Sequence, residues 1–129
     1  MNKKGFTLIE LLAVMTILAI ISVITVPIVV NTINNAKKST YDRQVEIIER
    51  ATENWYIKNG NDISENSKVV VDLDYLLAQG YLKGTEIIST KNGDKLMGCV
   101  SITYSSNQYN YKFSENDCTC TTNCTKYSN

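Results

Sequence analysis

Gly5-Phe6-Thr7-Leu8-Ile9-Glu10-Leu11-Leu12 opens a run that stays almost wholly apolar to Val30, with Lys3 and Lys4 just before it and one charge, Glu10, inside it. An apolar stretch of this length is a membrane segment. A carboxylate near its start costs about 2.5–3.5 kcal/mol on insertion scales. A chain that carries such a cost has a use for the charge. A secretory signal peptide would be shorter in its apolar part and would be followed by an Ala-x-Ala-like site, which is missing here. A plain anchor explains the length and the Lys3/Lys4 flank, which holds that end in the cytoplasm, but gives Glu10 no role. A solvated Glu10 at a misplaced membrane boundary fits poorly, because apolar or small residues also lie on its N-terminal side. The remaining reading is a segment that sits first in the bilayer and then packs against copies of itself, where a partner neutralises Glu10.

Lys4-Gly5-Phe6-Thr7-Leu8-Ile9-Glu10 closely resembles the class III signal of type IV prepilins and of the pseudopilins of type II secretion and competence systems. The resemblance is strong over residues 1–30 and weaker beyond. It implies a prepilin peptidase that cuts between Gly5 and Phe6 and N-methylates the new amino terminus on Phe6. It also implies that Glu10, fifth in the processed chain, pairs with the amino group of a neighbouring subunit during assembly. The physics of each residue agrees. Gly5 lets a protease approach its carbonyl, and Phe6 suits the membrane interface. Glu10 and an ammonium attract strongly in a low-dielectric bundle, and removing one partner strands the other at a cost of roughly 3–5 kcal/mol.

Pro27 has no N–H for the Val23 carbonyl, and its ring crowds that oxygen, so a kink is expected there. The resemblance implies local melting in the filament. Ala19 stands where many relatives carry a helix-loosening glycine, a departure that counts against complete unwinding.

Beyond Pro27 the same helix continues. Ile33, Ala36, Tyr41, Val45, Ile48, Thr52 and Trp55 recur at helical spacing and form one apolar stripe, while Lys37, Lys38, Arg43, Glu46, Glu49, Arg50 and Glu53 fall mostly elsewhere. Glu46 and Glu49 stand at helical offsets from Arg50 and Glu53. Asn59-Gly60 is a stop signal. A helix from Phe6 to Lys58 would be about 80 Å long.

The rest predicts a small head. Asn61–Lys68 reads as a loop and Val69-Val70-Val71 as an extended stretch or a lead-in to a helix. Asp72 is placed to cap a short helix with Leu73, Leu76 and Leu77 on one face and Gly80 at its end. Lys91-Asn92-Gly93-Asp94 is a turn. Leu96–Tyr104 and Gln108–Phe113 alternate in period two across Ser105-Ser106-Asn107, which predicts an antiparallel hairpin packed on the amphipathic half of the long helix. The tyrosines are assigned to packing. The expected class is α+β: a long N-terminal helix, half membrane and half amphipathic, on a small antiparallel β-sheet head, as in pilins. The expected organisation is a leader at 1–5, a transmembrane and filament-core helix at 6–30, and a pilin-like head at 31–129.

Cys99, Cys118, Cys120 and Cys124 are the cysteines. A head outside the membrane faces a compartment that permits disulfides, and a small core benefits from them. Of three pairings, the one joining Cys118 to Cys120 closes a very tight loop. Two stay open: Cys99–Cys118 with Cys120–Cys124, or Cys99–Cys120 with Cys118–Cys124. A four-thiolate zinc site matches this spacing poorly, and free thiols suit only a strict anaerobe.

Composition excludes several classes. The chain of 129 residues has room for one membrane helix and one modest domain. Its 13 basic and 13 acidic side chains balance, and loss of the leader leaves it slightly acidic, with no basic stripe for nucleic acid. It has no histidine, no phosphate-binding glycine loop and no nucleophile elbow. The expectation is therefore assembly rather than catalysis, with no catalytic residue, cofactor or metal. The resemblance implies as partners copies of this chain or other pilins, the prepilin peptidase, the assembly machinery and the membrane. It implies a single-pass location in the cell membrane before assembly and an extracellular or periplasmic filament afterwards. The roles left open are a pilus, a secretion pseudopilin and a competence pseudopilin. The alternative from another class is a single-pass membrane-anchored extracellular binding module that does not polymerise.

Overall fold

The computed structural model describes residues 4–60 and 62–129. Of the expected leader, Met1–Lys3 lie outside the described residues, as does Asn61 at the start of the expected loop. The chain forms two compact units, the first ending at Lys38 and the second running Ser39–Asn129. Helix α1 (Leu8–Asn59) contributes to both.

In the first unit the large apolar side chains from Leu8 to Ile33 are exposed. The helix is long and apolar enough to cross a membrane. Its hydroxyls are satisfied from within: Thr16, Ser22, Thr25 and Thr32 donate to the carbonyls of Leu12, Leu18, Ile21 and Ile28 at 2.7, 2.7, 2.5 and 2.9 Å. A helix that satisfies its own polar groups can sit in hydrocarbon. It stays helical on both sides of Pro27.

The second unit is α+β. Strands β1 (Lys68–Asp72), β2 (Cys99–Ser105), β3 (Gln108–Ser114) and β4 (Cys124–Tyr127) form one sheet in the order β3-β2-β1-β4. The β2–β3 hairpin lies where alternation placed it, turning at Ser106 and Asn107, which take φ of 50° and 63°. Positive φ at both loop residues matches the right-handed twist of the flanking strands. The sheet is larger than that hairpin, and it is mixed rather than antiparallel. β1 pairs antiparallel with β2 and parallel with β4. Three consecutive valines, Val69–Val71, give β1 apolar side chains on both faces, which suits an interior strand.

The helix side of the sheet carries Val71, Ile102, Val100 and Phe113 against Ile48 and Trp55 of α1. Trp55 is the centre, with the Tyr127 and Tyr75 rings edge-on at 4.8 and 5.7 Å. The buried stripe of α1 is Ile48, Ala51, Thr52, Trp55 and Tyr56, with Tyr41 and Val45 half-buried. Ile33 and Ala36, expected on this stripe, are exposed and lie in the first unit, before the sheet-bearing part of the chain begins.

Val70 and Cys99 point away from the helix yet are wholly buried. Topology explains this. β3 ends beside Cys99, whereas β4 begins beside Lys68 at the opposite end and the opposite edge. Segment 115–123 must therefore cross the face that α1 leaves open. The Asp117 carbonyl lies 3.5 Å from Cys99 Sγ on that path.

Helix α2 (Leu73–Ala78) buries Leu73 and Leu76, with Leu77 half-buried. Asp72 does not cap it through its side chain, which instead lies 3.7 Å from Lys126 Nζ on β4. The helix ends as expected at Gly80, whose φ is 82°. Gly80 N–H donates to Leu77 O at 3.2 Å and Tyr81 N–H to Leu76 O at 3.1 Å, the two bonds of a Schellman stop.

Candidate functional site: the N-terminal turn and the stapled tail

Helix α1 begins at Leu8, two residues later than the sequence expectation, and its first turn shows why. Thr7 N–H donates to Glu10 Oε2 at 3.1 Å, and Glu10 N–H donates to Thr7 Oγ1 at 3.3 Å. This is a reciprocal capping box, in which a threonine before the helix and a glutamate three residues on satisfy each other's backbone donors. Lys4 to Thr7 are not helical, so the Gly5–Phe6 bond lies on an irregular segment just ahead of the cap. Phe6 is 91 % exposed, and Glu10 is exposed too. The structure thus gives Glu10 a local partner that a reading of membrane cost alone did not assign. The signal was present as Thr7-x-x-Glu10. The carboxylate also stands in the first turn, where the helix dipole favours a negative charge.

At the other end of the chain the structure joins Cys99 to Cys118 and Cys120 to Cys124, one of the two pairings left open by the sequence. The first bond pins segment 115–123 to the start of β2. The second closes the turn that feeds β4. With all four sulfurs in disulfides, none is a thiolate available to a metal.

Two carboxylates tie α1 to the rest of the second unit, and one of them, Glu49, was expected on the wet side of the helix. Glu49 Oε1 accepts the Phe113 N–H at 2.9 Å, occupying a donor on the outer edge of β3. Glu115 accepts from the Tyr41 hydroxyl. Burial first, and then Glu115, pushes the Tyr41 phenol up to about 12. Burial first, and then Tyr109, does the same for Tyr56, also to about 12. Glu46, by contrast, pairs with Arg50 at 2.6 Å on the exposed face of the helix, where such a pair contributes little.

Comparison with known proteins places the N-terminal turn in context. A family model described as the prokaryotic N-terminal methylation motif matches residues 1–26. No curated protein and no solved structure matches the chain. The first 26 residues therefore carry a prepilin-type class III signal, of the kind processed by a prepilin peptidase. The capping box, the Gly5–Phe6 bond and most of the apolar run to Val30 all fall inside the matched stretch.

Proposed function

We propose that this chain is a structural, non-catalytic subunit of a type IV pilus or of a pilus-like filament. The observation that carries this reading is the methylation motif over residues 1–26, set on an exposed apolar helix with one acid in its first turn. In the proposed sequence of events, the peptidase cuts after Gly5 and methylates the Phe6 amine. The processed chain waits in the membrane with residues 31–129 outside as the head. Assembly machinery then extracts it, and the apolar helices bury one another in the filament core. Glu10 accepts the amine of a neighbouring Phe6, and that pairing sets the register between subunits. The work comes from the machinery. The disulfides of the second unit suit an oxidising compartment.

The test is the mass of the mature protein in sheared surface filaments. The expected chain begins at N-methylated Phe6. Surface filaments built from chains that retain Met1–Gly5 would overturn the proposal, and so would a processed chain that never enters filaments. The latter result is what a non-polymerising anchored module would give.

A further inference from the structure

The two disulfides of the second unit stand in opposite settings. Cys99 is wholly buried, and its sulfur, that of Cys118 and a carboxylate oxygen of Asp72 all lie within 4.8 Å of one another. Lys126 Nζ, 3.7 Å from Asp72 Oδ2, is already held by that carboxylate. Thiol–disulfide exchange begins when an incoming thiolate attacks one sulfur and expels the other as a thiolate. Burial shields Cys99 from attack. Attack on Cys118 would expel Cys99 as an anion into a buried place beside a carboxylate, and both features disfavour the charge.

The other bond has the reverse arrangement. Cys120 and Cys124 are both half-buried. Cys124 lines a cavity of about 490 Å³ together with Lys68, Ser67, Asn123, Tyr56 and Tyr127. Lys68 stands in register with Cys124 on the neighbouring strand, and an ammonium there favours a thiolate. The ring closed by this bond contains Asn123, a non-glycine residue at φ 52°, whose carbonyl accepts the Lys68 N–H at 2.9 Å. Opening the bond lets that turn relax, and the turn leads directly into β4.

We propose that Cys120–Cys124 is a thiol–disulfide exchange site for a dithiol reductant, and that its opening loosens β4 while Cys99–Cys118 stays closed. One thiolate of the dithiol attacks Cys124 from the cavity and expels Cys120 as a thiolate. The second thiol of the reductant then attacks its own sulfur in the mixed disulfide and expels Cys124 beside Lys68. Two electrons and two protons pass to Cys120 and Cys124, and the dithiol leaves as a disulfide. This site does not depend on whether the chain polymerises.

The test uses the full oxidised chain, folded in detergent micelles, with dithiothreitol as the dithiol. Thiols are trapped with N-ethylmaleimide after increasing times and mapped on the tryptic peptides 96–112 and 113–126. The expected first product carries labels on Cys120 and Cys124 only, with the two peptides still joined through Cys99–Cys118. Trp55 emission should shift to the red in the same step, because the Tyr127 ring of β4 lies 4.8 Å from Trp55. Lys68→Gln should slow that step severalfold, and Asp72→Asn should speed the opening of Cys99–Cys118 alone. Labels that reach Cys99 and Cys118 first, or all four cysteines together, overturn the proposal. Unshifted Trp55 emission in the doubly labelled product overturns the loosening of β4. An unchanged rate in Lys68→Gln or in Asp72→Asn overturns the role given to that side chain.

Discussion

Replacing Cys99 and Cys118 together by alanine should destabilise the head more than replacing Cys120 and Cys124, and the difference can be worked from the fold. The first bond spans a sequence separation of 19 and the second a separation of 4. Loop-closure entropy removed from the unfolded chain is worth about 3 kcal/mol for the longer loop and about 2 kcal/mol for the shorter. The longer staple also has a structural task, since it holds the segment that covers Val70 across the back of the sheet. The assay is urea unfolding of the full chain in detergent micelles, followed by the fluorescence of Trp55. This is the only tryptophan, it is 1 % exposed, and it lies against Tyr127 of β4. With a slope of about 1–3 kcal/mol per molar urea, the longer bond should shift the midpoint down by about 1–3 M. The shorter bond should shift it by about two-thirds as much. Reduction of the wild type should match the quadruple variant. A larger effect from Cys120/Cys124 than from Cys99/Cys118, or no effect from either, would refute the argument that the crossing segment is what the staples secure.

Two further outcomes follow from the carboxylates and phenols of the head. Glu49→Ala leaves the Phe113 N–H without its acceptor, a loss of about 1–3 kcal/mol in thermal or urea unfolding, and Glu46→Ala, which removes an exposed pair, should cost well under half of that. Tyr41 and Tyr56 are both held up to about 12 in the folded chain against 10 in the unfolded one. Their contribution to stability is complete below pH 10 and is lost as pH rises to 12, because the unfolded chain releases those protons first. Unfolding midpoints measured from pH 9 to 12 should fall across that window, with a shallower fall in Tyr41→Phe and Tyr56→Phe.

The elements carried by local pattern were legible in the sequence. The apolar run to Val30, the alternation through β2 and β3, and the stripe Val45–Trp55 each announce themselves within a few residues. The parallel strand β4 did not. Cys124-Thr125-Lys126-Tyr127 is polar, short and next to cysteines, and its pairing with β1 is a long-range choice fixed by the crossing segment rather than by its own residues. Asp72 looked like a cap because an aspartate precedes a leucine-rich turn. The sheet continues through it, and its carboxylate lies across from Lys126 instead. Glu49 looked like one of several wet acids, and nothing in helical spacing marks it as the one that reaches a strand edge. The spacing Thr7-x-x-Glu10 carries the capping box in the sequence itself, alongside the membrane cost that points Glu10 to distant partners.

The placing of β4 also has a consequence for any state in which that strand is undocked. Val69–Val71 can pair with β2 as soon as the hairpin forms, but their other flank stays open until Cys124–Tyr127 has been delivered across the back of the sheet. Without β4 that flank would be a row of unpaired amides beside three valines, the kind of edge that recruits stray strands. The Cys99–Cys118 bond lies ahead of β4 along the chain and shortens the loop that β4 has to close, so oxidation lowers the entropy cost of adding the last strand as well as fastening it.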